Sequence, residues 1–255
     1  MIDTHAHLFM CKETPEQLVS KAKLAGIRRI IQIAVDFDSN QTVLDMAAEF
    51  PELEATVGIH PLSPDDFDKV ADLEGLLTQY PSICAVGETG LDRKYSDDVV
   101  AQEKAFRQQI ELALAFDKPV VIHNRQADED CHRILLDYPT IRAVFHCFSS
   151  DMDFITDLMD KLPKADLMVS FTGMITFSKR GKVIEAVRSL PLDRLMIETD
   201  CPYLTPKLYM PNKNQPAYVG QVANKIADVR DLRLSEVIEA TSSNAIRFFG
   251  LKETV

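Results

Sequence analysis

The chain has 255 residues, a length at which one α/β barrel or two smaller domains can bury a full hydrophobic core. With 46% hydrophobic and 26% charged residues, 9 Gly and 13 Pro, its composition is that of a globular protein and excludes a low-complexity or disorder-prone chain. A formal net charge of -11 excludes a broad basic surface for nucleic acid, so a polyanionic substrate has to be held locally, for instance through bound cations.

In chain order, residues 1–6 read as a first strand. A helix follows, with Thr14 as N-cap, Pro15 at its first position and Gly26 closing the turn after Ala25. Strand 29–35 leads to helix 40–50, strand 54–59 to helix 67–80, and strand 83–87 to helix 99–116. Strand 120–123 leads to helix 127–138, strand 143–146 to helix 152–161, and strand 167–171 to helix 182–189. The eighth strand, 195–199, precedes a long loop over residues 202–216 and two helices, 219–229 and 235–249. Several strands are almost wholly apolar, as buried parallel strands require, and the alternation predicts an α/β fold built from βα units.

A doubly wound sheet uses similar units. The count of eight, and the polar residues at the C-terminal ends of several different strands, favour a TIM-like (β/α)8 barrel. The loop over 202–216 reads as functional rather than as a boundary, so a single domain over residues 1–255 is expected.

The strand ends carry the chemistry. His5 and His7 alternate along the first strand and face the same way, so they can grip one metal or merely cap the barrel through hydrogen bonds. Glu88 follows the fourth strand between Gly87 and Gly90; an acid there is costly unless it forms a salt bridge or bridges two cations. His123 and His146 end two apolar strands at equivalent positions, and Asp200 closes the eighth. Four histidines and two carboxylates on one rim suit Zn2+, Mg2+ or Mn2+.

His60, after the third strand, is a candidate for substrate binding or proton transfer, against a structural role. Arg125, two residues after His123, is a candidate phosphate contact, against a loop-stabilising ion pair. His132 reads as a helix-surface residue. Cys11, Cys84, Cys131, Cys147 and Cys201, without a CxxC pair, argue for a reducing compartment. No signal-peptide pattern opens the sequence and no apolar run is long enough to span a membrane, so a cytoplasmic protein is expected, with no membrane association and no protein partner.

These residues resemble the TatD family of metal-dependent hydrolases. The resemblance runs through Asp3-Thr4-His5-Ala6-His7, Gly58-Ile59-His60-Pro61, Gly87-Glu88-Thr89-Gly90-Leu91-Asp92, residues 119–127, His146-Cys147-Phe148-Ser149, Glu198-Thr199-Asp200-Cys201-Pro202 and Asn214-Gln215-Pro216. It implies an amidohydrolase-like barrel with two divalent metals and deoxyribonuclease activity, commonly 3′ to 5′ on single-stranded DNA. It further implies that His5, His7 and Asp200 hold one metal, that His123 and His146 hold the other, and that Glu88 bridges them. Phe9 stands where the family tends to have Asp or Asn, and Lys213-Asn214-Gln215-Pro216 replaces Arg-Asn-Glu-Pro; both changes bear on substrate preference.

Glu88 and Asp200 are the expected catalytic carboxylates, Asp200 as general base, with Thr199 or Asp92 orienting ligands. The alternatives are a metal-dependent carbonyl hydrolase, such as a D-aminoacyl-tRNA deacylase, lactonase or amidase, and a non-catalytic metal-binding barrel.

Overall fold

The computed structural model describes residues 1–252. Eight parallel strands pair in chain order: β1 (Ile2–Ala6), β2 (Arg29–Gln32), β3 (Leu53–Val57), β4 (Ala85–Asp92), β5 (Val120–Arg125), β6 (Arg142–Phe145), β7 (Asp166–Phe171) and β8 (Leu195–Ile197). Among the described residues nine α-helices surround them: α1 (Pro15–Leu24), α2 (Phe37–Glu49), α3 (Leu73–Gln79), α4 (Val99–Ala115), α5 (Asp128–Leu135), α6 (Met152–Lys161), α7 (Lys182–Ser189), α8 (Gly220–Arg230) and α9 (Leu234–Phe249). The result is a nearly closed TIM-like barrel. Among the described residues, no helix is long and apolar enough to cross a membrane.

The start of α1 shows how the local sequence sets an element. Thr14 accepts from Gln17 N while the Gln17 side chain accepts from Thr14 N, and Pro15 fills the first turn, where its missing N–H costs nothing.

The barrel has an inside and an outside core. Val121, Val144, Met168 and Met196, from four successive strands, belong to a cluster with Ile2 and Ile31 that Phe248 and Phe249 of α9 join. Two residues further along, on the same face by alternation, stand His123 and Ser170 within their strands and His146 and Glu198 just past theirs. An apolar layer thus supports a polar one. Residues of the opposite parity, such as Val120, Phe145 and Val169, pack with Ile110, Ile155 and Ile184 of the helices.

Several elements differ from expectation: β2 and β3 stop at Gln32 and Val57, α5 at Leu135, and β5 runs on to Arg125, so His123 lies within it; three more changes bear on the shape of the barrel. The predicted helix over 67–80 is a 3-10 stretch, Pro64–Asp72, followed by a short α3; within the 3-10 stretch Asp66 accepts Phe37 N at 2.9 Å and pairs with Lys69. Strand β8 stops at Ile197 because Asp3 captures the Thr199 N–H. Strand β4 runs on through Asp92, so Glu88 lies within it rather than after it. The pairing of β4 with β5 shifts between Val86 and Thr89. At Gly90 (φ 137°) a Cβ would meet His123 O at 2.1 Å, so only glycine lets the strands approach there.

Bonds from the segment after β8 close the seam with β1. Thr4 Oγ1 donates to Ile197 O (3.1 Å), Thr199 N and Oγ1 donate to Asp3 (2.8 and 2.6 Å), and Asp200 N donates to His5 O (2.8 Å).

Candidate metal centre

The six histidine and carboxylate residues singled out along the sequence converge at the C-terminal mouth of the barrel, from β1, β4, β5 and the segments after β1, β6 and β8. His7, His60, Glu88, Asp92, His123, His146 and Asp200 line a cavity of about 530 Å³ there. His5 lies beneath it, fully buried, its ring stacked on that of His146 at 4.0 Å.

Glu88 stands at the centre and its two oxygens face different groups. Oε2 is 3.2 Å from His5 Nε2 and 3.8 Å from His7 Nε2, and Asp200 Oδ1 lies 3.7 and 3.4 Å from the same two nitrogens. Oε1 is 2.9 Å from His123 Nδ1 and 2.8 Å from His146 Nε2, which are 3.3 Å apart. Ligands around an ion bonded at about 2.0–2.1 Å sit about 3.3 Å from one another in tetrahedral geometry. Both donor groups fall near that spacing.

The hydrogen bonds behind the rings decide which lone pairs point inward. Ile33 O accepts from His7 Nδ1 at 2.9 Å, which leaves the His7 Nε2 lone pair facing Asp200. Asp92 Oδ2 accepts from His123 Nε2 at 3.0 Å, so Nδ1 turns a lone pair towards Glu88. Acceptors that face one another in this way need a cation or protons between them. The donor set fits divalent metal ions.

His60 is placed differently. Its Nε2 is 3.4 Å from Glu88 Oε1, and its donor atom lies within 4.8 Å of those of Glu88 and His123. Leu62 N, however, donates to His60 Nδ1 at 3.0 Å, and burial lowers the pKa of the ring, so a neutral His60 carries its one proton on Nε2. It presents a donor to the cavity rather than a metal ligand.

Without metal, protons fill the gaps. Burial opposes charge on His7, His123 and His146, but the surrounding carboxylates outweigh it and raise all three, His146 most strongly. Burial alone would push the Glu88 carboxyl up; His146, His60 and His5, with the bond to His123, hold it well below the usual carboxylate range. Asp200 is lowered in the same way, with burial opposed by His7, His5 and His146.

Arg125 ends β5, partly buried, and is not among the residues lining the cavity. Thr199 touches Asp3 rather than a metal-type donor, so it fixes the backbone before Asp200. His132 pairs with Asp157 on the surface, at 2.5 Å.

Two carboxylates gain a role that the sequence reading left unassigned. Glu198 Oε1 accepts from Cys147 N at 2.7 Å and approaches His146 Nδ1 at 3.4 Å, without the alignment of a hydrogen bond, while Oε2 accepts from Ser170 Oγ. Asp3 holds Thr199 and, at 3.4 Å, His5 N. The inward parity of Glu198 with Met196 is the signal that could have found it. The carbonyl of Ile33 has no sequence signal at all.

Asp92→Asn removes the carboxylate that orients His123 and is expected to weaken metal affinity or activity by about 10–100-fold. Metal titration by calorimetry checks this, and unchanged affinity together with unchanged activity would remove Asp92 from the centre.

The family model described as TatD related DNase matches residues 2–250. The chain is 34% identical over 260 residues to the uncharacterized metal-dependent hydrolase YabD of Bacillus subtilis, covering 98% of this chain and 99% of that one. The human 3′-5′ RNA nuclease TATDN2 is 32% identical over 275 residues, which cover 98% of this chain and 35% of the human protein. Among solved structures, the TatD homologue YJJV of Escherichia coli superposes with a TM-score of 0.90 at 26% identity, covering 99% and 98% of the two chains.

Proposed function

The chain belongs to the TatD family of metal-dependent hydrolases, and on that premise we propose that it cleaves phosphodiester bonds at the 3′ end of single-stranded nucleic acid, as a deoxyribonuclease, with two divalent ions (Mg2+, Mn2+ or Zn2+). His5, His7 and Asp200 would hold one ion, His123 and His146 the other, and Glu88 would reach both. The observation that carries this reading is Glu88 itself, whose two oxygens serve two separate groups of imidazole donors. The family description and the activity in the human relative's name support the phosphodiester substrate.

When bound, divalent ions acidify an attacking water and offset negative charge on a phosphoryl group. They also supply the local positive field that a chain of net charge -11 lacks elsewhere. Asp200, held ionised and only partly buried, accepts the proton of the attacking water. His60 Nε2–H donates to a phosphoryl oxygen or to the departing 3′ oxygen, and Asp92 and Ile33 O keep His123 and His7 in their inward-facing tautomers. Arg125, on the rim beyond His123, meets a phosphate outside the cavity. Five free cysteines suit a reducing, cytoplasmic setting.

Removal of metal tests the reading. Chelation is expected to abolish stepwise loss from the 3′ end of a labelled oligonucleotide, and Mg2+, Mn2+ or Zn2+ to restore it. Because His7, His123 and His146 have raised pKa values, the metal-free centre binds protons more tightly than free imidazoles do, and loading must displace them. Apparent metal affinity is therefore expected to fall as pH is lowered through neutrality, with proton release on titration in weak buffer. No cleavage with any of the metals would sink the phosphodiester assignment.

A further inference from the structure

Two tyrosines stand at the mouth of the metal cavity, and nothing in the hydrolytic chemistry accounts for them. Tyr95 and Tyr203 line the cavity yet remain 67% and 54% exposed. Leu62, 40% exposed, and Met10 line the same mouth, which makes its outer wall apolar above a floor of imidazoles and carboxylates. Flat aromatic side chains left open to water beside a reaction site are suited to a ligand that covers them.

Their placement is not incidental. Tyr95 N donates to Asp92 Oδ1 at 2.9 Å, and Asp92 also holds His123. Tyr203 N donates to Asp200 O at 2.9 Å, and Asn214 Nδ2 donates to Tyr203 O at 2.6 Å. Each tyrosine therefore follows a carboxylate of the centre by three residues and is tied to it by a turn. The backbone that orients the hydrolytic groups also fixes where the two rings project. The Tyr203 ring meets the His7 ring edge-on at 6.5 Å, and Lys94 Nζ stands 4.9 Å from the centroid of Tyr95.

We propose that Tyr95 and Tyr203 are stacking platforms for unpaired nucleobases beside the scissile phosphate, so that the centre selects strand ends whose bases are free of a duplex. The proposal rests on the phosphodiester reading for the position of the phosphate. The stacking itself depends only on the rings. A base stacked on a tyrosine cannot remain stacked on its neighbours in a duplex, so paired ends bind only after fraying. Because every base has a π-face, the selection is for single-strandedness rather than for sequence.

The test is equilibrium binding to the chelated full-length protein, followed by cleavage with metal. The probes are a single-stranded oligonucleotide with 2-aminopurine near its 3′ end, the same strand with abasic terminal nucleotides, and a blunt duplex. Wild type is expected to quench the 2-aminopurine fluorescence and to prefer the base-bearing strand to the abasic one. Tyr95→Ala and Tyr203→Ala are each expected to reduce that preference about tenfold, while Tyr→Phe at either site retains it. A preference unchanged in both alanine variants would overturn the platforms even if the strand is still cleaved. Quenching and preference without cleavage would overturn the phosphodiester reading and leave the platforms standing. No binding of any strand, and no cleavage once metal is restored, would overturn both.

Discussion

Glu88→Gln is expected to lower strand cleavage by more than about 10³-fold, because it removes the charge on which both donor groups depend. The substitution keeps the shape of the side chain but replaces one carboxylate oxygen with an amide that carries two hydrogens. Whichever way the amide turns, those hydrogens face His5 and His7 or His123 and His146, where the native centre has an acceptor. Metal content after gel filtration should therefore fall along with activity. The His146 imidazole should also titrate lower, since the Glu88 carboxylate is the main group holding it above its ordinary value. Full metal content with normal cleavage would sink the assignment of Glu88 as the bridging group.

Asp200→Asn is expected to cost about 10²–10⁴ in turnover, the range for loss of a positioned general base. Asparagine is the informative replacement because Asp200 has φ 57°, a left-handed conformation that Asn tolerates and Ala does not. The amide oxygen can still face His5 and His7, so metal content should be retained in large part while kcat falls and KM changes little. Normal turnover with metal bound would exclude Asp200 as the base and leave it as a ligand alone.

Most of this architecture is legible in the sequence because it rests on short-range rules. The alternation of apolar runs with helical stretches yields the strand order, and Thr14-Pro15 and Gly26 bound α1 closely. The converging histidines are legible because each lies at or near the C-terminal end of a buried strand, where a polar ring has few reasons to be.

What escapes the sequence is what depends on approach between distant segments. The continuation of β4 to Asp92 requires Gly90 to lie against His123 O, which no local pattern announces. The role of Glu198 behind His146 depends on a loop 51 residues away in sequence, through the Cys147 N–H. Arg125 shows the opposite limit of short-range reasoning. Nearness in sequence to His123 suggested a place in the site, whereas the structure leaves it off the cavity lining.

The seam between β8 and β1 gives the centre a history as well as a shape. Asp3 and Thr199, whose bonds close the ring, are 196 residues apart. A chain made from its N-terminus carries His5 and His7 long before Asp200 exists to face them. Until the eighth strand docks, those imidazoles lack the carboxylate that faces them in the folded centre. Docking of the last strand thus frames the pair with a carboxylate, and a metal ion held by His5, His7 and Asp200 would fasten the first strand to the segment after the last. Release of that metal should loosen this junction first, and hydrogen exchange at the Thr199 and Asp200 amides is where the loosening would be read.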